Sequence, residues 1–140
     1  MVTTLSKKTI GRREMVNLPD FNLNSVEVKI DTGAYSCSIH CCSIKEENNL
    51  LHVVFLDDKH PQFNSCVYTF SNFKKKKVKS SSGHVQERYF IKTPIQLGGK
   101  TYQTEFSLTQ RSGMRYPILI GRKLLNKNFI IDTSHKYLLK

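Results

Sequence analysis

Val28 and Ile30 alternate with Lys29, the two-residue period of a half-buried strand, and the run stops at Asp31-Thr32-Gly33, three residues that suit a turn. The same short-run pattern continues on both sides. Residues 9–19 read as a first strand ended by Pro19, residues 20–25 as a turn and residues 25–30 as a second strand. Residues 36–44 read as extended again, with Cys37, Ile39 and Cys41 on one face and Ser36, Ser38 and His40 on the other. Residues 45–49 form a polar turn. Residues 50–56 contain Val53, Val54 and Phe55, the β-branched and aromatic types that favour strands, and residues 57–61 turn the chain.

Residues 66–70 and 88–93 read as two further strands. Between them lie Lys74, Lys75, Lys76, Lys77 and Lys79 and then Ser80-Ser81-Ser82-Gly83, so the pair is expected to be a long hairpin with a mobile polar tip. Residues 95–97 and 101–108 flank Gly98-Gly99, a hairpin signal. Residues 109–114 read as a polar loop. Pro117-Ile118-Leu119-Ile120-Gly121 is a short apolar run closed by glycine, as in a fully buried strand, and residues 122–126 allow one helical turn. Residues 129–131 and 137–139 read as the last strands, on either side of a turn at 132–136. No segment has the pattern of a three-turn helix. Strands at this spacing predict an all-β class, closed or barrel-like, in a single domain over residues 1–140.

Composition narrows the function classes. No apolar run approaches the roughly 20 residues that span a bilayer, so no membrane partner is expected. Residues 1–8 have no apolar stretch of the secretory kind, so a cytoplasmic location is expected, with Cys37, Cys41, Cys42 and Cys66 as free thiols. The formal charge is +11, from 22 Lys and Arg against 11 Asp and Glu, which favours an anionic partner unless the lysine run simply sits in solvent.

The candidate chemistry is at the end of the Val28–Ile30 run. A carboxylate on a rigid loop tip, with glycine next to it so that backbone N–H groups can approach, suits acid–base work. An apolar strand ending in Asp31-Thr32-Gly33-Ala34, followed much later by Ile118-Leu119-Ile120-Gly121-Arg122, resembles the two-part pattern of retropepsin-type aspartic proteases. A fuller set extends this over nearly the whole chain: Gly11-Arg12-Arg13-Glu14, Lys29-Ile30-Asp31-Thr32-Gly33-Ala34 with His40, Glu87-Arg88, Ile91-Lys92-Thr93, Leu97-Gly98-Gly99 and Leu119-Ile120-Gly121-Arg122. In this it resembles the retropepsin-like family labelled "ATP-dependent zinc protease".

The resemblance implies an acid-protease β-barrel with a flap hairpin at residues 66–93, acting as a homodimeric aspartic-type peptidase. Asp31, Thr32 and Gly33 would be catalytic, Ala34 and Arg88 would meet substrate, and Arg122 would pair with an acid at the dimer interface. Residues 118–121 would support the catalytic loop. Peptide hydrolysis by aspartates needs two carboxylates sharing one proton, and this chain offers one full motif, so a two-fold partner must supply the second Asp31. Relatives of this kind resemble partners of ligases that add glutamates, so an acidic or glutamate-modified peptide is the expected substrate.

Other readings draw on the same sequence. Phe129-Ile130-Ile131-Asp132-Thr133-Ser134 echoes the first loop, but Ser134 replaces the glycine, and Asp132 reads as a turn or strand cap. A zinc protease could draw on His40, Cys37, Cys41, Cys42, His52, His60 and His84. The chain has no H-E-x-x-H and no pair of Cys-x-x-Cys motifs, so no metal and no cofactor is expected. No phosphate-binding glycine loop and no G-x-S-x-G occurs. A nucleic-acid platform is not expected, because only Phe70 and Phe73 stand near the lysines. The remaining alternative is a non-catalytic peptide-binding module on the same fold.

Overall fold

The computed structural model describes residues 7–79, 82–110 and 115–139. The strands are β1 (Lys8–Gly11), β2 (Arg13–Leu18), β3 (Leu23–Ile30), β4 (Cys37–Glu47), β5 (Leu50–Phe55), β6 (Tyr68–Phe70), β7 (Lys74–Lys79), β8 (Val85–Leu97), β9 (Lys100–Thr109), β10 (Ile118–Ile120) and β11 (Phe129–Asp132). A 3₁₀ turn at Pro19–Phe21 and the single-turn helix α1 (Arg122–Leu125) complete the described elements. Among these, β10, β3, β2, β8, β9 and β4 are neighbours in that order, and β4 pairs back onto β10, so six strands close a barrel. No described helix is long and apolar enough to cross a membrane.

Period-two alternation fills the barrel. Val26, Val28 and Ile30 of β3, Ile39 of β4, Ile91 and Ile95 of β8, Phe106 of β9 and Ile118 and Ile120 of β10 are all buried. Each such side chain contributes about 1.5–3 kcal/mol when fully removed from water. β5 and β6 extend outward from β4, and their inner face is closed by aromatic packing: Phe21 stacks on Phe55 at 4.1 Å and meets the edge of Tyr68 at 5.4 Å.

Several expectations change on contact with tertiary structure. The first strand is two, because the chain breaks at Arg12: its N–H turns to His135 O (2.9 Å) while its carbonyl accepts from Ile30 N–H (2.9 Å). β4 runs on to Glu47, and the turn after it shrinks to Asn48-Asn49, both at left-handed φ (53° and 61°) as a two-residue hairpin requires. The hairpin expected from residues 66–70 and 88–93 does not form. β6 pairs with β5 instead, and the lysine run is itself strand β7, in antiparallel register with β8 from Lys74↔Phe90 to Lys79↔Val85. The ribbon corresponding to the flap is therefore β7–β8, narrower than residues 66–93. Of its polar tip, Ser80 and Ser81 lie outside the described residues. So do residues 111–114 of the expected polar loop.

The lysines tolerate a strand because acids meet them. Lys75 Nζ reaches Glu46 (2.9 Å) and Glu87 (3.4 Å), and Lys74 and Lys76 approach Glu105 at 3.7 and 3.9 Å. The hydrogen bond from Lys75 holds Glu46 below the usual carboxylate range.

Residues 137–139 are not a strand but an irregular tail, tied down by one buried acid. Glu14 Oε2 accepts the N–H groups of Gly11 (2.7 Å) and Leu138 (2.9 Å), and Oε1 accepts that of Leu139 (3.1 Å). A Cβ at Gly11 would stand 2.5 Å from His135 O, so the tail can only lie this close against glycine. The Gly11-Arg12-Arg13-Glu14 motif is thus the clamp that fastens the C-terminal tail to the barrel. Because a charged acceptor holds three donors, Glu14→Gln is expected to cost about 1.5–3 kcal/mol in urea unfolding; an unchanged midpoint would show the clamp to be idle.

Candidate functional site

β3 delivers Asp31 to the mouth of the barrel, and the segment from β10 into α1 holds the loop that follows. Asp31 N–H donates to Ile120 O (2.9 Å), Arg122 N–H to Ala34 O (2.8 Å) and Lys123 N–H to Tyr35 O (2.8 Å). Arg122 Nη1 donates to Thr32 O at 2.9 Å, so this arginine braces the loop within its own chain. A Cβ at Gly121 would lie 2.5 Å from Ser36 O, which makes glycine obligatory where the two backbones cross.

The loop presents a half-buried carboxylate. Gly33 N–H donates to Asp31 Oδ1 at 3.1 Å, while Oδ2 has no hydrogen-bond partner among the described residues. Gly33 does not adopt left-handed φ, and a Cβ there would meet only Asp31 Oδ1, at 3.4 Å. Within one subunit, then, neither conformation nor crowding demands glycine at this position. Thr32 and Gly33 are exposed, and so is Tyr35, with the Arg122 guanidinium 5.9 Å from its ring centre.

The second Asp-Thr is a different object. Asp132 Oδ1 accepts both the N–H and the hydroxyl of Ser134, and Oδ2 lies 2.9 Å from His135 Nδ1. Those bonds, from Ser134 first, hold the Asp132 carboxyl below its usual range and close a local turn. Both oxygens are occupied there.

Arg88 stands on β8 opposite Lys76, and its Nη2 donates to Gln86 Oε1 at 3.3 Å. It lines a cavity of about 290 Å³ with Ile44, Tyr89, Leu108 and Gln110. Asp31, Thr32, Gly33 and Ala34 form one loop, and Arg88 makes none of the contacts that hold it.

A larger cavity, about 380 Å³, opens between β2–β3 and the turn after β5 and is lined by Met15, Glu27, His40, Asp57, His60 and Tyr116 among others. Alternation sets His40 on the face of β4 opposite Cys37, Ile39 and Cys41. It is buried, its Nε2 2.9 Å from Asp57 Oδ2, because the turn at residues 57–61 folds over that face. His60 Nδ1 accepts Gln62 N–H (3.0 Å), so the proton of the neutral ring is on Nε2. Burial lowers the His60 pKa and favours that neutral form. Among the described residues no three His, Cys, Asp or Glu side chains converge as a metal site. Cys37 and Cys41 are buried with thiols pushed up chiefly by desolvation, while Cys42 and Cys66 are exposed, and all four are free.

Two features escaped the sequence. The buried His40–Asp57 pair joins residues 17 apart, and no local pattern connects them. Glu105, buried on β9 and ringed by Lys74, Lys76 and Lys123, had only its odd place in an otherwise strand-like run as a signal.

The chain is 30% identical over 138 residues to a probable alpha-L-glutamate ligase of Shewanella halifaxensis, covering 96% of this chain and 30% of that protein. It is 29% identical over 140 residues to one of the same name from Desulfotalea psychrophila, with the same coverage. The chain therefore spans less than a third of the length of these curated relatives. A crystal structure of a Legionella pneumophila protein of unknown function superposes with a TM-score of 0.73 at 28% identity, over 96% of this chain and 100% of that one. The family profile described as "Retropepsin-like aspartic endopeptidase RimB" matches residues 9–140, and with the closed barrel and the Asp-Thr-Gly loop in place the chain belongs to this RimB-like family.

Proposed function

We propose that the chain is one half of an aspartic endopeptidase, in which a two-fold homodimer brings two Asp31 carboxylates together over a peptide. The observation that carries this reading is the asymmetry of Asp31: Gly33 N–H holds Oδ1, and Oδ2 is left open at the tip of a loop braced by β10 and α1. A braced carboxylate with one free oxygen is half of a proton-sharing pair. Asp132 cannot complete it within the chain, since both its oxygens are taken in a local turn.

The chemistry follows from the pair. One carboxylate takes a proton from a water between them as that water attacks the peptide carbonyl carbon. The other gives its proton to the carbonyl oxygen, and the tetrahedral intermediate collapses as the leaving amine is protonated. Thr32 hydroxyls would bridge the two loops across the axis. The vacancy beside Gly33, where a Cβ would meet nothing but Asp31 Oδ1, leaves room for the partner loop and the substrate backbone. Ala34 borders that space, and Arg88 would steer substrate from the β7–β8 ribbon.

The substrate we propose is an acidic or glutamate-bearing peptide. The net charge of +11 and the glutamate-ligase names of the longer relatives support this. The ligase reaction belongs to those longer proteins by name and is not proposed for this chain. The four free thiols suit a reducing, cytoplasmic setting.

Asp31→Asn is expected to cut peptide hydrolysis by at least ~100-fold with no change in melting, measured by peptide cleavage and calorimetry. Mixing native subunits with excess Asp31→Asn subunits should suppress activity beyond simple dilution. A native-like rate in the mixture would instead show a subunit that cleaves alone, and a stable monomer with no peptide cleavage would favour a non-catalytic peptide-binding module.

A further inference from the structure

Two acids are buried among the described residues, Glu14 and Glu105. Glu14 fastens the tail. Glu105 meets two elements that lie far apart in the chain, and three cations share it. It stands on β9 between β8 and β4, opposite Lys92 and next to Phe106, which is in register with Cys37. Its Oε2 is 3.7 Å from Lys74 Nζ and its Oε1 is 3.9 Å from Lys76 Nζ, both on one face of β7. The same Oε1 accepts a hydrogen bond from Lys123 Nζ of α1 at 3.4 Å.

Lys123 is also part of the brace on the Asp31 loop. Its N–H and that of Arg122 hold the carbonyls of Tyr35 and Ala34. Glu105 thus connects the β7–β8 ribbon to the helical turn that positions Asp31. One negative charge faces three positive ones, and two of these converge on a single oxygen. Ammonium groups gathered around one carboxylate repel each other and compete for it. All three lysines are exposed, so each can leave for solvent, whereas the buried carboxylate gains from whichever cation stays. The ribbon has a second tie that gives a comparison. Lys75, on the opposite face of β7, reaches Glu46 on β4 and Glu87 on β8, and neither acid bonds to α1 among the described residues.

We propose that Glu105 is a shared counter-ion through which the ribbon and the Asp31 loop sense each other. Lys74 and Lys76 draw on the carboxylate when the ribbon is down and weaken its hold on Lys123; that hold tightens when the ribbon lifts. The proposal rests on the endopeptidase reading, in which the ribbon covers the peptide, and adds how the site responds to its cover. Glu105 is a positioning residue, since it acts on the Asp31 loop only through α1.

Hydrogen exchange at the Arg122 and Lys123 amides of the full chain, followed by NMR, reads the brace directly. Lys74→Gln with Lys76→Gln is expected to slow it about threefold, because Lys123 then keeps Glu105 to itself. Adding Lys123→Gln should remove that effect. Lys123→Gln alone should slow exchange along β7 by a similar factor, as reciprocal coupling requires. Lys75→Gln loosens the ribbon without touching Glu105 and should leave the two amides unchanged. Faster or unchanged exchange in the double variant overturns the shared counter-ion, and so does an equal slowing by Lys75→Gln. Should the double variant melt early, Lys76→Gln alone, at an exposed position facing the shared oxygen, should still slow the two amides, and unchanged exchange there overturns the proposal as well. Cleavage is scored separately: the double variant should change kcat as well as KM, and Lys75→Gln should change KM alone. Exchange coupling in a protein that cleaves no peptide counts against the endopeptidase reading alone, and cleavage without exchange coupling counts against the shared counter-ion alone.

Discussion

The crossing of two backbones at Gly121 is the constraint on which the Asp31 loop depends. Where β10 ends, the chain passes so close to Ser36 that no side chain fits, and the next two N–H groups bond the carbonyls of Ala34 and Tyr35. Arg122 then reaches back to Thr32 O. The loop is thereby fixed by backbone hydrogen bonds from a buried strand and a helical turn, and rigid support of this kind is what precise chemistry at a loop tip requires. Asp31 stays half-buried and Thr32 and Gly33 exposed at the loop tip, available to a second molecule.

Charge is organised in two tiers. Three of the five lysines of β7 are countered by Glu46, Glu87 and Glu105, so the most conspicuous basic segment of the sequence is in part a structural ribbon held by ion pairs. Exposed pairs of this kind add little stability each. Glu105 is different: it is buried and sits among three ammonium groups, so removing it would leave their charges opposed to one another. Most other lysines and arginines among the described residues form no ion pair, and two of these, Arg13 on β2 and Lys29 on β3, stand opposite each other on the strands that lead to the Asp31 loop. A net charge of +11 says that an anion is welcome, and only the pairing in space says where.

Neighbouring residues of the Gly11-Arg12-Arg13-Glu14 motif divide the work between scaffold and surface. Glu14 turns inward and anchors the tail, while Arg13 turns outward against Tyr116. Adjacent residues on a strand face opposite sides, so one motif can fasten the fold and shape the site beside it.

The sequence by itself determined the all-β class, most strand positions, the Asp-Thr-Gly loop and the buried Ile118–Ile120 strand. Each of these rests on period-two burial or on local turn chemistry, which neighbouring residues specify. Tertiary structure decided what depends on distant partners. The lysine run became a strand because Glu46 and Glu105 lie across from it, and the last residues became a tied tail because Glu14 supplied acceptors more than a hundred positions away. His40 was buried by a turn folding over an otherwise outward face, and Arg122 was drawn to a carbonyl of its own chain. Local pattern sets which residues alternate; only the closed barrel sets which charges meet, because ion pairs and clamps form between strands that are remote in sequence and adjacent in space.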